Sequence, residues 1–112
     1  MESASNCTNI ESVLDSMDLK QKIGQMMMVG FPEPFHGELP PGVTGLLRDP
    51  GIGGVAVLAR NARTPESMRA LTTELQRAAR AAGAAAPLFV HGDSEGGIVM
   101  QVTEGACTFP GA

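Results

Sequence analysis

Five consecutive apolar residues, Val55-Ala56-Val57-Leu58-Ala59, follow the pair Gly53-Gly54 and constrain the fold more than any other stretch of this chain. A strand with one wet face alternates apolar and polar residues, because successive side chains point to opposite sides. A strand that is apolar at every position needs cover on both faces, and parallel sheets flanked by helices provide it. The chain is therefore expected to alternate strands with helices.

The flanking sequence fits that alternation. Ile10, Val13, Leu14, Met17, Leu19 and Ile23 follow helical spacing from about Ile10 to Gln25, with Asp18 placed to restart the helix as an N-cap. Met26 to Phe31 is expected to be a buried strand, ended by Gly30-Phe31-Pro32 and a loop that runs through Pro41. A short helix is expected over Val43 to Arg48, closed by Asp49-Pro50-Gly51. Thr64-Pro65-Glu66 reads as the cap and first turn of a longer helix with an apolar stripe of Met68, Leu71, Leu75, Ala78 and Ala82. Arg69, Thr73, Gln76, Arg77 and Arg80 lie largely off that stripe, and Gly83 can end the helix in the left-handed conformation. Leu88 to Val90 is a third strand, followed by His91-Gly92-Asp93. The order is helix, strand, short helix, strand, helix, strand, which predicts parallel β/α units with right-handed crossovers.

Composition narrows the function. At 112 residues there is room for one small domain. Eight basic against twelve acidic side chains, and four aromatics that are all Phe, argue against a nucleic-acid partner. No apolar stretch is long enough to span a bilayer, so no membrane partner is expected. The first dozen residues lack a basic start and an apolar core, and a cytoplasmic location is the expectation. Residues 1–9 are expected to be a flexible tail. Cys7 and Cys107 lack metal or redox spacing and are expected to be unpaired thiols. Asn6-Cys7-Thr8 fits a glycosylation sequon by chance.

Several motifs have plainer explanations. Gly51-Ile52-Gly53-Gly54-Val55-Ala56 satisfies G-x-G-x-x-A, but dinucleotide binding needs the glycines after a strand and opening a helix. Here they precede a strand, so a tight turn is the better account. His91, Asp93 and Glu95 alternate as ligands on one strand face do, and His36 is the only other histidine, yet the paired spacing of a metal site is missing. No metal or cofactor is expected. Asp93 and Glu95 as a catalytic pair would need a separation of roughly 5 to 9 Å across the sugar, whereas both rise from one wall. Asp93 as a sugar-holding carboxylate, with Glu95 structural, fits better, since a carboxylate accepts hydrogen bonds from two hydroxyls. Arg60-Asn61, at the end of the second strand, reads as a salt bridge and a turn in preference to ligand contacts.

Five blocks in register carry a family resemblance: Leu19-Lys20-Gln21-Lys22-Ile23-Gly24-Gln25-Met26, Val29-Gly30-Phe31, Gly53-Gly54-Val55, Leu58-Ala59-Arg60-Asn61 and Asp93-Ser94-Glu95-Gly96-Gly97. Together they resemble the start of glycoside hydrolase family 3, from about Asp18 to Pro110, and the D-S-E-G-G block is similar to the D-Q-E-G-G of its bacterial β-N-acetylhexosaminidases. The resemblance implies the first part of a TIM (β/α)8 barrel, about three of its eight units. It implies a retaining hydrolase of terminal β-linked N-acetylhexosamine, a carbohydrate partner containing N-acetylglucosamine, and Asp93 as the substrate-binding residue. The family's catalytic His-Asp pair and Asp nucleophile lie downstream of the segment matched, so none of these residues is assigned a catalytic role. The family motif continues with R-V-x-R, where this chain has Ile98-Val99-Met100-Gln101; the charged contact becomes at best a neutral hydrogen bond from Gln101.

Thr108-Phe109-Pro110 resembles the family's F-P segment, and a truncated barrel domain over residues 1–112 is the expectation. Such a piece would expose two strand edges and self-associate, and alone it would be inactive. The alternatives are a small non-catalytic α/β sugar-binding or interaction module, or a gene remnant.

Overall fold

The computed structural model describes residues 10–111. The expected tail over residues 1–9, the sequon and Cys7 lie outside these residues, and Cys107 is a free, exposed thiol. Helices α1 (Ile10–Ser16) and α2 (Leu19–Gln25) lead to strand β1 (Met28–Gly30), helix α3 (Pro41–Arg48), strand β2 (Gly54–Ala56), helix α4 (Pro65–Ala81) and strand β3 (Phe89–His91). A hairpin follows, of β4 (Ser94–Gly96) and β5 (Val99–Met100). The three long-range strands form one parallel sheet in the order β1-β2-β3, with Val29, Val55 and Val90 in line across it. The expected alternation of parallel β/α units is present. The hairpin was not anticipated.

Local chemistry explains the helices. Asp18 accepts from the Gln21 N–H at 2.8 Å while the Gln21 side chain accepts from the Asp18 N–H, a reciprocal cap that breaks the first helical stretch in two. Thr64 caps α4 in the same manner with Ser67, Pro65 occupies its first turn, and Gly83 follows its end at φ +85°. Gln76 departs from expectation. Its amide donates to the Leu88 carbonyl and accepts from the Leu88 N–H, at 2.9 and 3.1 Å, so α4 holds the start of β3 as a neighbouring strand would. Also on α4, a hydrogen bond from Arg77 holds Glu74 below its ordinary range, with charge attraction adding to it. That contribution is present above the ordinary Glu range and is lost as pH falls through the lowered value.

Helices α3 and α4 cover one face of the sheet. Val43, Leu47, Ile52, Val55, Leu71, Leu75 and Ala79 form the buried centre there, with Val29 and Val90 packed against it. The opposite face carries Met28, Gly54 and Phe89 in one row and Gly30, Ala56 and His91 in the next. Nothing among the described residues covers it fully: Met28 and Phe89 are exposed, as are Met26 and Met27 ahead of β1. The expected burial of the first strand is thus not met, because its inner face meets no packed layer. No helix among the described residues is long and apolar enough to cross a membrane.

Two close contacts fix the start and the end of β2. At its start, a Cβ on Gly53 would stand 2.1 Å from the Gln25 carbonyl oxygen, so the end of α2 touches bare backbone. At its end, Asn61 is buried and spends its whole amide on backbone: Nδ2 donates to the Phe31 and Glu33 carbonyls at 2.9 and 2.8 Å, and Oδ1 accepts from the Leu58 N–H at 2.7 Å. Replacing Asn61 by Ala should lower stability by about 2–4 kcal/mol, read as a reduced urea midpoint, because three backbone groups lose their partners. Gly53→Ala should abolish cooperative unfolding. By contrast Gly45→Ala, in α3 with open space around the new Cβ, should raise stability by about 0.5–1 kcal/mol in the same titration.

Candidate functional site

Because the strands are parallel, their C-terminal ends share one rim, where open α/β sheets place their ligands. Three segments meet there: Phe31 to Glu33 after β1, Val57 to Asn61 after β2, and His91 to Asp93 at the end of β3. The Val57 N–H donates to the His91 carbonyl at 2.8 Å, which extends the ladder past β2 and fixes the backbone below Asp93. Asn61 ties the first two segments together, and its own carbonyl accepts from the Phe35 N–H at 2.9 Å.

The carboxylate of Asp93 stands half-exposed on this rim, with Oδ1 2.9 Å from Nε2 of His91. A carboxylate only accepts, so the imidazole donates through Nε2–H. Oδ2 carries no hydrogen bond from another side chain or from backbone among the described residues, and it can accept from a polyhydroxyl ligand. His91 and Asp93 come together as their two-residue spacing implies. Glu95 does not join them. It stands exposed on β4, and its side chain makes no hydrogen bond or ion pair among the described residues. No group of three metal-ligating side chains forms among the described residues, and His36 lines a shallow depression on the β1–α3 loop with Glu33, Pro34 and Glu38.

The two glycines of the Asp93 turn have steric causes. Gly96 and Gly97 adopt φ +88° and +57°, values that favour residues lacking Cβ. The segment Phe109-Pro110 folds back over them: a Cβ on Gly96 would lie 2.4 Å from the Pro110 carbonyl oxygen, and the Gly97 N–H donates to the Phe109 carbonyl at 2.9 Å. Farther along, the N–H groups of Thr103 and Glu104 donate to the Arg63 carbonyl, which seats the returning chain beside the start of α4.

The two positions where arginines were expected have different fates. Ile98 is fully exposed at the tip of the hairpin. Gln101 turns inward, and its Oε1 accepts from the Ala59 N–H at 2.5 Å, so its carbonyl end fastens the hairpin to the segment after β2. Arg60 is exposed and forms no ion pair among the described residues, whereas Asn61 is the buried partner of the turn that begins at Leu58. The salt bridge expected there is absent among the described residues, and the turn is present. Asn61 is the residue whose importance the sequence understated; its position just after an apolar strand was the available signal. Gly51 and Gly53 precede β2 and Gly54 opens it, at the end of the sheet opposite Asp93, as a tight turn requires.

Comparison with known proteins agrees with this geometry. Residues 18–112 match the profile described as the glycosyl hydrolase family 3 N terminal domain. A beta-hexosaminidase of Alkalilimnicola ehrlichii is 38% identical over 65 residues, covering 58% of this chain and 17% of the relative. Beta-hexosaminidase A of Pseudoalteromonas piscicida is 36% identical over 106 residues, covering 81% and 18%. Among solved structures, the glycoside hydrolase family 3 beta-N-acetylglucosaminidase of Paenibacillus sp. str. FPU-7 superposes with TM-score 0.75 at 32% identity, covering 86% of this chain and 18% of that one. A fungal multi-domain beta-N-acetylglucosaminidase of the family gives TM-score 0.74 at 35% identity, covering 84% and 11%. The chain thus spans less than a fifth of the length of these relatives. With three parallel strands joined by two helices, in the order that opens a TIM-type barrel, and with the profile match over most of its length, this chain belongs to glycoside hydrolase family 3.

Proposed function

We propose that this chain forms one sugar-holding wall of a family 3 glycosidase that removes terminal β-linked N-acetylhexosamine, with residues 1–112 belonging to a single barrel domain. The observation that carries this reading is the half-exposed Asp93 carboxylate at the C-terminal rim of β3, with Oδ2 free to accept from sugar hydroxyls. The names of the relatives support the sugar class. In this reading Asp93 binds and orients the sugar, and the groups that attack the anomeric carbon and protonate the leaving oxygen come from sequence beyond the matched segment.

The chain alone is then inactive and prone to associate. Among the described residues, strands β1 and β3 are each paired on one side only, and the exposed Met26, Met27, Met28 and Phe89 lie ahead of or along them without an intervening charge. A second reading, a non-catalytic sugar-binding module, is favoured only by Ile98 and Gln101 standing where charged contacts were expected.

Three outcomes are expected. N-acetylglucosamine titrated into the 15N-labelled chain should perturb amides around Gly92 to Glu95, and Asp93→Ala should weaken that binding roughly tenfold or more, the loss of a charge-assisted hydrogen bond. Unchanged binding by the variant would overturn the role of Asp93. The purified chain should not hydrolyse a chromogenic N-acetylglucosaminide, and measurable turnover would refute its inactivity. Gel filtration should show species larger than a monomer; elution as a compact monomer would contradict self-association.

A further inference from the structure

His91 stands on the inner face of the sheet, in a row with Gly30 and Ala56. Its strand neighbours carry almost no side chain: a Cβ on Gly30 would already lie 3.9 Å from the Cβ of Ala56. The imidazole is therefore the only bulky group in that row, directly beneath the rim. Its backbone is fixed, since the His91 carbonyl accepts from the Val57 N–H. Residues two apart in an extended chain share a face, and the ring reaches Asp93 Oδ1 at 2.9 Å.

We propose that His91 is a positioning residue for Asp93: by donating Nε2–H to Oδ1 it holds the carboxylate in one rotamer and directs Oδ2 and the remaining lone pairs to two adjacent hydroxyls of the sugar. This rests on the sugar-holding reading of Asp93. An aspartate at the free end of a strand rotates about two side-chain bonds, and ordering it on binding opposes affinity. A donor anchored to the ladder below removes part of that cost before the ligand arrives. The pair contributes little to the fold, because both side chains are more than half exposed. Its service is orientation.

The test uses four variants of the 15N-labelled chain and N-acetylglucosamine as the probe. His91→Ala and His91→Leu should each weaken sugar binding about fivefold, the loss of one orienting hydrogen bond. His91→Gln, whose amide Nε2 can donate from nearly the same place, should restore most of it. Asp93→Ala should displace the ring resonances of His91 and leave those of His36 unmoved, with or without sugar. If the His91→Ala and His91→Leu variants bind as the parent does while Asp93→Ala does not, the positioning role is overturned and the sugar site stands. Ring resonances of His91 indifferent to Asp93→Ala overturn it as well. If the parent chain does not bind the sugar, or Asp93→Ala binds it equally well, the sugar-holding reading itself fails and the positioning role falls with it.

Discussion

The side chain of Asn61 is the constraint on which the functional rim depends. In the interior its amide has no water to bond, so each polar atom must find a partner or destabilise the fold. It finds three, all backbone: two carbonyls beyond β1 and one N–H beyond β2. The result is that two loops of unrelated sequence leave the sheet at a fixed separation. Gln76 does similar work at the other end of β3, where one amide satisfies both polar groups of Leu88. Gln101 repeats the device a third time between the hairpin and Ala59. Short strands of three residues offer few ladder bonds, and side-chain amides supply the missing ones.

Packing and the site are divided between the two faces of the same sheet. Val29, Val55 and Val90 point to the helices and account for cohesion, while Gly30, Ala56 and His91 point away and leave room. The alternation of a strand therefore separates the residues that hold this fold together from those left facing the open side of the sheet. Substitutions in the first set act on stability, and those in the second act on the rim.

Much of this was legible in the sequence. The continuous apolar run at Val55, the caps at Asp18 and Thr64 and the terminator at Gly83 state local preferences strong enough to survive in the tertiary structure. The Asp93 turn was legible as a rim feature because carboxylates after an apolar strand have few other places to go. What could not be read was long-range. The clamp formed by Asn61 depends on a loop 28 to 30 residues earlier in the chain, and the inward turn of Gln101 depends on Ala59, 42 residues away. The burial of Met28 was overestimated for the same kind of reason: an apolar residue states a preference for cover, and only neighbours in space can meet it. The hairpin escaped notice because Gly96 and Gly97 look like flexibility, whereas their backbone is set by Phe109-Pro110 lying across them.

The strand order β1-β2-β3 has a consequence for biogenesis. Each strand pairs with the one before it in the sequence, so no pairing skips over an intervening strand. A growing chain can add one strand and one helix at a time to a sheet that already exists, and the entropic cost of each closure is that of a loop of a few tens of residues. Assembly can thus proceed in step with synthesis from the N-terminal end, and at each stage the newest strand presents its open edge to the next segment to emerge.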